Sequence, residues 1–228
     1  MPAHFRPRRL ACFDQLDTDL APRGGHGARL YSRIAYVLQG LDALPQLRAR
    51  VQSQAWSAAR TTTAYIRLIN GLLAVVFEAA DSASDPDVSR QLVALFNFMQ
   101  GKEFTGQERA TGSALFAAGR ADAPAQQQLL HLIESQERCL QVFTEFASPP
   151  QLQAWSTCQR PDNLVALERL RRILCTTPAG TTLDSELSQT WFDTCTAGID
   201  AMKAVEDLLF VRLLSLCQQR IAAPQRLT

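Results

Sequence analysis

The residues best suited to chemistry are polar side chains set into an apolar run. Between Met99 and Gly112 the sequence MQGKEFTGQERATG places Lys102, Glu103, Gln107, Glu108 and Arg109, with Gly101, Gly106 and Gly112, inside a segment otherwise patterned as a greasy helix. A glycine in a helix interior costs about 1 kcal/mol relative to alanine, so the run implies a backbone held close to a neighbour. Continued in steps of three and four from Leu92, Phe96 and Met99, the apolar face lands on Glu103, Gly106 or Gln107, and Ala110. Charges there either line a solvated stripe or enter a bundle, where they must be paired and hydrogen-bonded. A second cationic cluster is Arg169, Arg171 and Arg172, beside Glu168. Arg169 and Arg172 share a helix face and Arg171 lies about 100° away, so the cluster is either a solvated face or turns one or two guanidiniums inward.

The cations are almost all arginine, since the only lysines are Lys102 and Lys203. Guanidinium forks suit flat oxyanions better than ammonium groups do, although a GC-rich genome gives the same bias. Across 228 residues, 23 Lys and Arg face 22 Asp and Glu, leaving a formal charge of +1. No global field is available to hold nucleic acid or anionic lipid, so any bound anion must be held locally. Cys12, Cys139, Cys158, Cys175, Cys195 and Cys217 are widely spaced, without zinc-ligand patterns, and read as free thiols in a reducing cytoplasm, mostly as small buried apolar residues. His131, among leucines, reads as a half-buried structural histidine. No nucleophile elbow, metal cluster or phosphate loop is evident, so neither enzyme chemistry nor a cofactor is expected.

The elements that must position these residues are helical. Apolar residues recur at three and four almost everywhere, and period-two alternation is brief, so the fold class is all-α. The reading treats residues 1–228 as a single domain, with an irregular start over 1–27. The pattern predicts a helix carrying Leu30, Ile34, Val37 and Leu41, and a long one from Gln46 to about Ala80. Asp85 and Pro86 open a helix that runs to Ala118 and stops at Gly119; the next starts near Pro124 and ends before Pro149. A short turn at Leu152 to Trp155, a helix capped by Asp162, and a last helix from Leu183 to about Ile221 complete the chain. This order suits antiparallel helical bundles sharing long helices. Leu68 to Ala80 is interrupted by Asn70, Gly71 and Glu78, so no membrane span is expected. The start, with Arg6, Arg8 and Arg9 followed by Asp14, Asp17 and Asp19, is no signal peptide, which makes the expected location cytoplasmic.

The segment Leu95 to Gly112 (LFNFMQGKEFTGQERATG), followed by Phe116 to Arg120, resembles the signature of the NIT domain, a bacterial family that senses nitrate and nitrite. Similar positions recur at Arg33 to Ala35, Leu44 to Val51, Ser148 to Pro150, Leu167 to Arg172 and Val205 to Leu209. The resemblance implies an all-helical fold of two bundles sharing long helices, and nitrate held between helices by arginines that correspond here to Arg109 and Arg171. It also implies a partner, either a regulatory protein or a second copy of the chain, reached through helix rearrangement. Two features depart from the family pattern. The family's first helix, with its Gln-x-Glu-Arg-Gly-like motif, is not evident, and Arg8 and Arg9 stand in a different setting. No RNA-binding ANTAR output domain follows, so direct nucleic-acid binding is not expected. The competing reading is a degenerate NIT-like helical interaction module that no longer binds the anion.

Overall fold

The computed structural model describes residues 26–222, and the expectations for the irregular start and for Arg8 and Arg9 lie outside them. Contacts divide the chain into two compact units, Met1–Ala83 and Ser84–Thr228, with the boundary in the polar turn before Pro86. Every element among the described residues is helical apart from one isolated bridge, Arg120 to Thr182.

In the first unit, α1 (His26–Asp42) packs on α3 (Ala58–Ser82), with the shorter α2 (Leu44–Gln52) between them in sequence. The packing is close where glycine leaves room: a Cβ at Gly71 would lie 3.2 Å from Val37, and one at Gly40 would lie 3.0 Å from Leu68. Buried Glu78 on α3 is paired with Arg29 of α1 at 3.1 Å. The predicted helix from Gln46 to Ala80 is broken at residues 53–57. Gln54 takes φ of 53°, Ala55 N–H bonds back to the Arg50 carbonyl, and Ser57 caps α3 by accepting from Arg60 N–H. Trp56 fills the break, its ring covered by the guanidiniums of Arg50 at 4.9 Å and Arg60 at 4.4 Å. By length and composition alone α3 is long and apolar enough to cross a membrane, though Glu78 within it is buried and paired with Arg29.

The second unit is built around α4 (Pro86–Ala118), which packs against α5 (Ala123–Phe146), α8 (Leu187–Ala201) and α9 (Lys203–Ala222). Both ends of α4 follow the sequence. Asp85 accepts from the Asp87 and Val88 N–H groups at 3.0 Å, and Gly119 stops the helix in a left-handed conformation at φ 64°. Asp122 caps α5, which returns antiparallel along α4. The loop before α8 clamps this hairpin: Ala121 N–H donates to Thr181, Gly180 N–H to Ala121, and Leu183 N–H to Gly119.

Three element boundaries differ from the pattern. The short turn near Leu152 is the full helix α6 (Pro149–Cys158), anchored by Gln151, whose side chain accepts from Ser148 N–H at 2.7 Å. Helix α7 (Pro161–Thr176) starts one residue before Asp162, because Pro161 already supplies helical φ at the first position. The last helix begins at Leu187, after a turn held by Asp184, and is interrupted at Met202. The core of the unit gathers Leu115, Phe116, Leu129, Leu170, Leu174, Leu183, Trp191 and Cys195.

Candidate functional site

The inward face of α4 runs Leu95, Phe98, Gly101, Thr105, Glu108, Gly112 and Leu115, all buried. It is out of phase with the predicted stripe: Glu103, Gly106 and Gln107 are half-buried and Ala110 is exposed. The small residues on this face admit large partners. A Cβ at Gly112 would stand within 2.5 Å of Trp191 ring atoms, and one at Gly101 would stand 3.1 Å from Leu140. Gly106, by contrast, has nothing within 4 Å of its added Cβ, so the close-approach expectation holds for two of the three glycines.

Glu108 is wholly buried, and its charge is answered from α7. Arg171 Nε donates to Glu108 Oε1 at 2.7 Å and Nη2 to Oε2 at 2.8 Å, a two-pronged pair. Gln136 of α5 donates its amide to Glu108 Oε2, and its own carbonyl lies 3.1 Å from the Thr105 hydroxyl. Arg171 is also held by Glu168, one turn earlier on α7, through Nη1 at 2.7 Å. Burial works against the Arg171 cation, but the hydrogen bonds and charge of Glu108, followed by those of Glu168, outweigh it and raise its pKa above the usual guanidinium range. Arg169 and Arg172 are exposed, so Arg171 alone of its cluster turns inward.

Arg109, the next residue on α4, faces α8. Its Nη1 donates to the Thr196 hydroxyl at 2.8 Å, and its guanidinium carbon lies 4.7 Å from the centre of the Phe192 ring. Trp191 fixes the backbone beneath it by donating Nε1–H to the Arg109 carbonyl at 2.9 Å. Among the described residues Arg109 has no carboxylate partner, whereas Arg171 has two. Both guanidiniums act on buried Cys195 and favour its thiolate, yet burial and the Glu108 charge prevail and push the thiol up to about 12. Cys195 is thus an inert packing residue.

The two arginines expected as site residues therefore both belong to the α4–α7–α8 junction, but in different states. Arg109 is an open cation over an aromatic ring, and Arg171 is a neutralised one. Sequence reasoning flagged Glu108 within the polar run but not as the partner of Arg171, and missed Gln136, Trp191, Phe192 and Thr196; the i,i+3 spacing of Glu168 and Arg171 was the one local signal of pairing. His131 is exposed on α5, not half-buried, because its neighbours Leu129 and Leu132 take the inner face. In the first unit, a cavity of about 470 Å³ is walled by Val37, Leu47, Trp56 and Leu68 with Arg50 and Arg67 at its lining.

Comparison with known proteins gives a consistent result. The profile of the NIT family, described as nitrate and nitrite sensing, matches residues 6–214. The chain is 37% identical over 196 residues to the nitrate regulatory protein of Klebsiella oxytoca, an alignment covering 85% of this chain and 48% of that protein. The solved structure of the NasR transcription antiterminator is similar at a TM-score of 0.78 and 34% identity, over 91% of this chain and 55% of that one. The chain spans about half the length of these relatives.

Proposed function

This chain belongs to the nitrate- and nitrite-sensing NIT family, and from that premise we propose that it binds nitrate or nitrite at Arg109, with Arg171 as the second cationic wall, and signals by rearranging helices. The observation carrying this reading is the Arg109 guanidinium, which is braced by Thr196 and Phe192 without a carboxylate partner among the described residues, while Arg171, already paired with Glu108, acts with it on the same buried Cys195. A planar anion with oxygens on three sides satisfies such donors in charge and shape together. Arg109 belongs to α4 and its braces to α8, so an anion competing for its donors alters the α4–α8 contact. A ligand that prefers one arrangement of that contact shifts the population toward it.

The signal passes to a regulatory protein, or to a second copy of the chain, in a cytoplasmic system governing nitrate assimilation. The names of the relatives support that output: a nitrate regulatory protein and a transcription antiterminator. The family is one of sensing domains, and the chain is read accordingly as a receptor and not an enzyme. The degenerate-module alternative is disfavoured, since the matching family is described as nitrate and nitrite sensing and the curated relative is a nitrate regulatory protein.

A thermal-shift series tests the reading. Nitrate at a hundredfold excess over its Kd stabilises a folded receptor by about 2.7 kcal/mol, which raises the melting temperature by roughly 5–10 °C. Arg109→Ala is expected to melt independently of nitrate. A wild-type melting temperature unmoved by nitrate and nitrite would overturn the proposal.

A further inference from the structure

Arg171 is approached by two carboxylates of opposite character. Glu108 is wholly buried, grips the guanidinium through Nε and Nη2, and is itself held by Gln136. The Glu168 side chain is 65% exposed and touches Nη1 alone, while Arg171 is 12% exposed. An anion seeking a two-pronged grip on the remaining Nη1 and Nη2 protons meets the Glu168 carboxylate first. A carboxylate is a planar oxyanion, like nitrate, and like charges at this range repel. Glu108 cannot leave without stranding a buried charge, whereas Glu168 has only to swing into water.

We propose that Glu168 is an internal competitor of the sensed anion: it occupies Nη1 of Arg171 in the ligand-free state, gives way when nitrate arrives, and so sets the concentration at which the site fills. Glu108 is the positioning residue that keeps the guanidinium aimed throughout. This inference rests on the reading that Arg171 forms one wall of the anion site. Its size follows from the modest strength of pairs with an exposed partner, which corresponds to about a two- to fivefold change in Kd.

Calorimetric titration of nitrate into the full chain compares wild type with Glu168→Gln, Asp162→Asn and Arg109→Ala, each first verified as helical and cooperatively melting. Asp162 is exposed in the first turn of the same helix and is absent from the charges acting on Arg171, so it controls for the general loss of a negative charge. The expected result is a Kd about two- to fivefold lower for Glu168→Gln, with Asp162→Asn matching wild type. Equal or weaker binding by Glu168→Gln, while wild type binds and Arg109→Ala does not, overturns the competitor and leaves the site standing. Equal tightening by Asp162→Asn also overturns it. Absence of saturable binding in both wild type and Glu168→Gln overturns the site and the competitor together.

Discussion

Replacing Gly112 by alanine places a methyl group in the face of Trp191, within 2.5 Å of its Cζ2 and Nε1 atoms. The indole is completely buried and donates to the Arg109 carbonyl at 2.9 Å, so the ring cannot shift without losing that bond. Overpacking a core costs about 1–3 kcal/mol, and an unsatisfied buried N–H costs about 1–3 more. Alanine recovers about 1 kcal/mol of helix propensity. The expected net loss is about 1–5 kcal/mol, which lowers the melting temperature by roughly 2–20 °C in a unit of this size. Gly106→Ala, six residues earlier on the same helix with open space around its Cβ, is the internal control and should gain up to about 1 kcal/mol. Thermal and urea unfolding followed by circular dichroism read both variants. If Gly112→Ala is as stable as wild type, or if Gly106→Ala falls with it, the packing argument is refuted.

Two further perturbations separate stability from ligand binding. Arg171→Met alone strands the buried Glu108 charge and is expected to cost about 3–5 kcal/mol, while Glu108→Met with Arg171→Met should recover most of it; equal stability of the single and double variants in urea unfolding would contradict the pairing. Glu206, where burial is outweighed by hydrogen bonds from Lys102 and Lys203, has a carboxyl lowered from 4.5. Its contribution to stability is therefore present above 4.5 and is lost as pH falls through the lower folded value. Stability of wild type should fall more steeply on acidification than that of Glu206→Gln, and parallel curves would exclude the effect.

Local signals exposed much of the helical frame in the sequence. Asp85 with Pro86, Gly119, and Pro149 are short-range capping and stop signals, and they marked the ends of α4 and α5 within a residue or two. The break at Gln54 carries neither glycine nor proline at its left-handed residue and depends on Trp56 being gripped by two arginines, so periodicity ran through it. The phase of α4 was ambiguous for a different reason. Apolar side chains at Leu95 and Phe96, and again at Phe98 and Met99, allow two registers, and the true inner face continues through small residues that carry no hydropathy signal. The site residues divide in the same way. Arg109 and Arg171 were singled out as candidates by the family resemblance, but the charge state of the junction they occupy was not legible, since the partners of Glu108 and Arg109 come from helices far along the chain.

Arg109 is the cation on which the account turns, and calorimetric titration of nitrate, nitrite, chloride and sulfate into wild type and Arg109→Lys tests it most directly. Lysine keeps the charge while removing the planar fork. Wild type is expected to bind nitrate or nitrite saturably and to respond little to chloride or sulfate, and Arg109→Lys is expected to bind markedly more weakly. Binding that is unchanged by the substitution, or that chloride reproduces, would contradict that reading of Arg109.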